Sequence, residues 1–140
     1  MGEPFEALFM GNGEQLVDIE KCKGCFVHEF IPYHELPNYY NIADIGVWPQ
    51  QESTSMIDAA ACGLPIIISN KVMAKERVDG NGLTYIENDV DDLARVILQM
   101  KDANLRKRLS DVGIKKAREN FSWDKIAIER INDYNYFLKK

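Results

Sequence analysis

Up to residue 88 the chain alternates short apolar runs with amphipathic stretches; beyond it only amphipathic stretches remain. The apolar runs at 5–10, 25–28, 45–48, 65–69 and 83–86 predict five strands, set apart by Gly, Pro, Asn and Asp. Between them, 14–21, 34–43 and 55–62 have helical spacing, and Pro37 suits a first helical turn, where its missing N–H costs little. The stretch 70–79 predicts irregular backbone or one short helix, and Gly11-Asn12-Gly13 and Gly80-Asn81-Gly82 predict turns. Ile66, Ile67 and Ile68 show no polar alternation, as expected of a strand covered on both faces. In the last third, 89–100 aligns Leu93, Val96, Ile97 and Met100, and 104–120 aligns Leu105, Leu109 and Val112. Ser122 is a natural cap for a final helix, 123–140, with Ala127, Ile131, Tyr134 and Leu138 in line. The pattern predicts an α/β fold: a Rossmann-like parallel sheet with helices on both faces and a helical C-terminal tail.

Composition narrows the function. At 140 residues the chain suits a single domain, and a net charge of −5 argues against nucleic acid as a partner. No apolar run approaches the length of a transmembrane segment. The first six residues carry Glu3 and Glu6 where a signal peptide needs bases, and Glu6 spoils a myristoylation motif, so a cytoplasmic protein is expected. Cys22 and Cys25 have metal or redox spacing, but Cys62 alone supplies no second pair, and the first pair closes a helix rather than opening one. They read as incidental thiols, and no metal is expected. His28 and His34 have no nucleophile or carboxylate at a diagnostic spacing.

The candidate chemistry lies in 48–69, which reads as strand end, polar loop, small-residue helix, glycine stop and apolar strand. Acid, amide and hydroxyl groups (Gln50, Glu52, Ser53, Thr54, Ser55, Asp58) crowd the loop and the first helical turn. In parallel α/β sheets, ligands bind at that edge. A carboxylate such as Asp58 can accept bonds from both hydroxyls of a ribose. The same residues have a structural reading: Ser55 and Asp58 have capping-box spacing, and Ser53, Thr54 and Ser55 are ordinary helix-opening residues.

Asp58-Ala59-Ala60-Ala61-Cys62-Gly63-Leu64-Pro65-Ile66-Ile67 resembles the second half of the carboxylate motif of group 1 (family 4) retaining glycosyltransferases. In that motif an acid is followed after seven residues by a second acid and then by Ala-x-Ala-x-Gly-x-Pro and an apolar strand. The first acidic position is Gln50 here, with Glu52 two residues on, and the second is Asp rather than Glu. Leu8–Gly13, the lead-in 30–49, Asp79–Leu83 and Phe121–Ala127 resemble further segments of the family in the same order.

The resemblance implies one half of a GT-B fold, the donor-binding Rossmann-like domain, here 1–140. It implies that Asp58 holds the nucleotide ribose and that Gln50 and Glu52 stand at the donor sugar as the catalytic candidates. Ser53, Thr54 and Ser55 would face the donor phosphates, Phe30 and Ile31 would receive the base, and Gly11 would approach the nucleotide. The donor would be a nucleoside diphosphate sugar, with no other cofactor. The partner would be an N-terminal acceptor domain of the same protein, on which helix 123–140 packs, with room for peripheral membrane contact through that half. The first strand and helix of the donor domain, which carry the family's diphosphate-gripping Arg and Lys, have no counterpart in this sequence. The chain is therefore expected to be a fragment, inactive alone. Two alternatives stay open: a degenerate nucleotide-sugar-binding or scaffold domain, and a sugar-nucleotide epimerase.

Overall fold

The computed structural model describes residues 5–50 and 52–139. The N-terminal segment used above to argue against a targeting signal lies largely outside the described residues, as does Lys140 at the end of the predicted last helix. The chain divides into two compact units, and the division falls within one helix after Tyr39.

In the first unit, β1 (Ala7–Met10) and β2 (Cys25–His28) pair in parallel, with Ala7 opposite Cys25 and Met10 opposite His28. The connection between them is α1 (Leu16–Glu20) followed by a turn. Gly24 adopts φ 82°, and a Cβ there would lie 2.9 Å from the Phe5 carbonyl oxygen. Cys25 N–H donates to Cys22 O at 3.1 Å, so the cysteine pair closes a helix and opens a strand, as its position in the sequence implied. His28 meets the Tyr39 ring edge-on, with centroids 5.7 Å apart, which is a packing role. After a 3₁₀ turn (Tyr33–Glu35), α2 (Leu36–Ile42) follows with Pro37 in its first turn.

The second unit contains β3 (Gly46–Trp48), α3 (Ser55–Ala61), β4 (Ile66–Ser69), a 3₁₀ turn (Lys75–Arg77) and β5 (Gly82–Tyr85). Helices α4 (Val90–Gln99), α5 (Ala103–Asn120) and α6 (Trp123–Leu138) complete it. The sheet order is β3–β4–β5, all parallel, with Gly46, Ile66 and Gly82 in register. All four residues of β4 are fully buried, so both faces of the central strand are covered. On one face Ile67 and Tyr85 pack with Val96 and Met100 of the α4 region and Leu109 of α5. On the other face, Leu64 and Val78 close over Gly46 and Gly82.

All five predicted strands form and every pairing is parallel, but hydrogen bonding divides them into a pair and a triplet. Hydrophobic alternation counts strands; it does not choose their neighbours. The last strand begins at Gly82, which the sequence assigned to a turn. A Cβ at Gly82 would overlap the Ile66 carbonyl oxygen, so the two backbones approach closely and only glycine fits.

Ser122 caps the last helix as the sequence implied, and Asp89 and Asp102, which the sequence did not mark as caps, open the other two. Asp89 accepts from Asp92 N–H at 2.9 Å, Asp102 from Asn104 N–H at 2.9 Å, and Ser122 from Lys125 N–H at 3.4 Å. Bonds from Ile86 N–H and Arg95 hold the Asp92 carboxyl below its ordinary pKa. No described residue of α6 is buried, and Trp123, Tyr134, Phe137 and Leu138 are strongly exposed.

Candidate functional site

The carboxyl ends of β3, β4 and β5 meet along one edge of the second unit, because parallel strands finish on the same side. Three loops leave there, and side chains tie them together. The Tyr85 hydroxyl donates to Pro49 O at 2.8 Å. Ser69 Oγ donates to Glu87 at 2.7 Å, and Asn70 Oδ1 accepts from Glu87 N–H at 3.2 Å. Glu52 Oε1 accepts from the N–H groups of both Met73 and Ala74. Burial, with the Glu87 carboxylate adding to it, pushes the Tyr85 hydroxyl above its ordinary pKa, so this phenol stays a donor across the neutral range.

Helix α3 starts from this edge. Thr54 is its flanking residue and makes no side-chain cap. The capping box suggested by Ser55 and Asp58 is displaced: Ser55 is the first helical residue, and its hydroxyl accepts from Trp48 Nε1 at 3.1 Å and pairs with Ser53 Oγ at 2.7 Å. Ser53 Oγ also accepts Ser55 N–H at 3.2 Å. The N–H groups of Met56, Ile57 and Asp58 bond back to Ser53 O and Thr54 O. The first donors of the helix are thus internally satisfied. The Ser53 and Thr54 N–H groups have no partner among the described residues.

Asp58 is half-buried one turn into α3. It lies on the wall of a cavity of about 300 Å³ with Ile57 and Ala61 of its own helix, Ile114, Ala117 and Arg118 of α5, and Phe121, Ser122 and Trp123. The cavity is an open depression at the lower end of the volume range of small-molecule sites, with apolar and aromatic walls and a few polar groups. Close packing builds the wall: α3 presents Ala59 and Ala60, and α5 presents Gly113, whose absent Cβ would lie 3.3 Å from Ala60 O. The Cys62 thiol is pushed above its ordinary pKa, by burial first and the Asp58 carboxylate second.

Gln50, Glu52, Ser53, Thr54, Ser55 and Asp58 all belong to the second unit, but of these six only Asp58 lines the cavity; the others lie on the loop and first turn that precede it. Gln50 and Glu52 are exposed. Gly11, Phe30 and Ile31 lie in the first unit, just past the carboxyl ends of β1 and β2. Gly11 adopts φ 128° with open space at its Cβ position, Phe30 is exposed, and Ile31 is buried. Arg118, Phe121 and Trp123 were not among the expected site residues, yet they share the cavity with Asp58. The family-like segment 121–127 contains Phe121 and Trp123, and nothing in the sequence signalled Arg118. Among the described residues no cluster of three or more His, Cys, Asp or Glu could hold a metal, and no helix is long and apolar enough to cross a membrane.

The family model described as "Glycosyl transferases group 1" matches residues 10–116. This chain belongs to the group 1 glycosyltransferases. It is 31% identical over 109 residues to O-antigen chain mannosyltransferase B of Escherichia coli, a match covering 75% of this chain and 28% of that protein. It is 25% identical over 114 residues to spore coat protein SA of Bacillus subtilis (strain 168), covering 76% of this chain and 30% of the relative. The chain thus spans less than a third of the curated relatives it matches. The fold is similar to that of sucrose-phosphate synthase from Thermosynechococcus elongatus, with a TM-score of 0.80 at 20% identity over 94% of this chain and 38% of that one. The fold is accordingly α/β and Rossmann-like, of the kind found in one half of GT-B proteins.

Proposed function

We propose that this chain is the donor-nucleotide half of a retaining, two-domain glycosyltransferase that moves a sugar from a nucleoside diphosphate to an acceptor. The observation that carries this reading is the place of Asp58: a carboxylate on a cavity wall, one turn into the helix that leaves the carboxyl edge of the sheet, within the motif of the family. In the proposed complex Asp58 accepts hydrogen bonds from both ribose hydroxyls. Gln50 hydrogen-bonds the donor sugar, and Glu52 shapes the same edge. The main-chain N–H groups at Ser53 and Thr54, with Ser55 beside them, face the diphosphate.

No side chain of this site is proposed as a nucleophile. Catalysis rests on positioning the anomeric carbon and on stabilising the departing diphosphate. The acceptor is held by a domain beyond this chain, against which the exposed apolar side chains of α6 pack. The reaction is assigned to the cytoplasmic side of cell-surface polysaccharide synthesis, with membrane contact through the acceptor domain. The chain alone is proposed to bind nucleotide and to be inactive.

One observation favours a second reading, a degenerate nucleotide-sugar-binding domain. Gln50 carries no charge, and the Glu52 carboxylate is engaged on main-chain N–H groups. The complete protein, incubated with UDP-glucose or GDP-mannose and a lipid-linked or oligosaccharide acceptor, separates the two. The enzyme reading expects a new glycosidic bond with the anomeric configuration of the donor, seen in the one-bond C–H coupling of the product. Inversion rules out the retaining mechanism, and binding without turnover supports the degenerate domain.

A further inference from the structure

Glu52, at the sheet edge, accepts two main-chain bonds. Its Oε1 accepts from Met73 N–H at 2.5 Å and from Ala74 N–H at 2.9 Å, two successive donors on the loop that leaves β4. Both bonds are charge-assisted and therefore stronger than neutral ones. Directly after them the chain reverses: Ala74 has φ −76° and ψ 61°, and Lys75 N–H donates to Met73 O at 2.8 Å, an inverse γ-turn. The loop that carries Glu52 is itself fixed at both ends. Tyr85 holds Pro49 O, and the indole of Trp48 reaches Ser55 Oγ. Between these two anchors, the Glu52 carboxylate is the charged tie from the motif loop to the loop after β4.

We infer that Glu52 is a positioning residue, which acts through the main chain of Met73 and Ala74 to set the donor-sugar edge of the site. The inference rests on the donor-site reading proposed above and assigns the way Glu52 serves it. A carboxylate that already spends one oxygen on two main-chain donors stabilises a loop geometry. The direct contacts to the sugar then fall to Gln50 and to the loop that Glu52 holds.

Amide chemistry separates this from a direct electrostatic role. Glu52→Gln keeps an oxygen able to accept both N–H bonds and loses the charge, whereas Glu52→Ala loses both. The test is run on this chain by amide NMR, with hydrogen exchange at Met73 and Ala74 read without ligand and titrations with UDP, GDP, UDP-glucose and GDP-mannose. In Glu52→Ala, exchange at both amides is expected to rise about tenfold or more, the change that corresponds to about 1.4 kcal/mol of lost protection. The same variant keeps its response to UDP or GDP and loses the extra affinity of the sugar nucleotide. Glu52→Gln is expected to rescue both readouts to near the parent values. Unchanged exchange in Glu52→Ala overturns the tie. A Glu52→Gln variant that loses the sugar-dependent affinity as fully as Glu52→Ala overturns positioning and assigns the role to the charge. If exchange behaves as expected but the parent chain answers to no nucleotide, the donor reading fails and takes the positioning role with it, leaving a fold contact.

Discussion

Asp58→Ala is expected to lower kcat/KM of the complete enzyme about 100-fold. A hydrogen bond to a charged group contributes about 1.5–3 kcal/mol, and in the proposed complex the ribose would offer Asp58 two of them. Allowing for partial exposure, a loss of about 3 kcal/mol is a reasonable sum, and each 1.36 kcal/mol is a factor of about ten in rate. Asp58→Asn retains one acceptor oxygen and is expected to lose about tenfold. The loss should appear largely in KM, because the ribose is bound in ground and transition states alike. Asp58 is only half-buried, so neither variant should unfold the domain. The Cys62 thiol offers an internal check: the Asp58 carboxylate helps to raise its pKa, so either variant should lower it and speed alkylation at neutral pH. An Asp58→Ala enzyme within threefold of the parent in kcat/KM contradicts the ribose assignment.

Gly82→Ala is the substitution expected to cost the fold most. The new methyl would overlap the Ile66 carbonyl oxygen and lie 2.8 Å from both Ile66 Cγ1 and Val78 Cγ2. These atoms belong to or border the central strand, which is buried along its whole length, so no flexible side chain can give way. Overpacking of this kind costs about 1–3 kcal/mol and occasionally more, and the backbone clash puts the expected loss near 3 kcal/mol. Urea denaturation should show a lower midpoint with an unchanged slope. Gly13→Ala is the control: nothing lies within 4 Å of its Cβ position, and a change within about 0.5 kcal/mol is expected. A Gly82→Ala loss below about 1 kcal/mol would mean that β4 and β5 are not held at this separation.

The contrast at Gly82 shows where sequence reasoning reaches and where it stops. The run Ile66-Ile67-Ile68 after Pro65 announced a strand covered on both faces, and the structure buries all three. Alanines after Asp58 announced a helix that packs closely, and α3 meets Gly113 of α5 at van der Waals distance. The glycine that opens β5 was read as turn because Gly-Asn-Gly is a turn signature; only the register against Ile66 reveals why it belongs to the strand. Strand pairing was equally out of reach, since a period of two sets which side a residue faces and not which neighbour it meets.

The site divides in the same way. Asp58 stood out in the sequence because it belongs to a motif with fixed spacing, and the structure puts it on a cavity wall. The hydroxyls of Ser53 and Ser55 were legible as helix-opening groups, but not the Trp48 indole that claims Ser55 and displaces the capping box. The bond from Glu52 to Met73 and Ala74 spans twenty-one and twenty-two residues and ends on main-chain N–H groups, which every residue but proline carries. No residue identity at 73 or 74 could have signalled it. Arg118 and Trp123 enter the cavity because α5 runs back along α3, a packing choice made far from the motif in sequence.

The most direct test of the donor-site account is an amide NMR titration of this chain with UDP, GDP, ADP and CMP, repeated on Asp58→Ala. The account predicts saturable shifts at Gln50, Ser53, Thr54 and Asp58, stronger for one base than the others and absent in the variant. The affinity should be about millimolar, worth about 4 kcal/mol. Shifts confined to residues outside 50–58, equal for all four nucleotides and unchanged by Asp58→Ala, would contradict it.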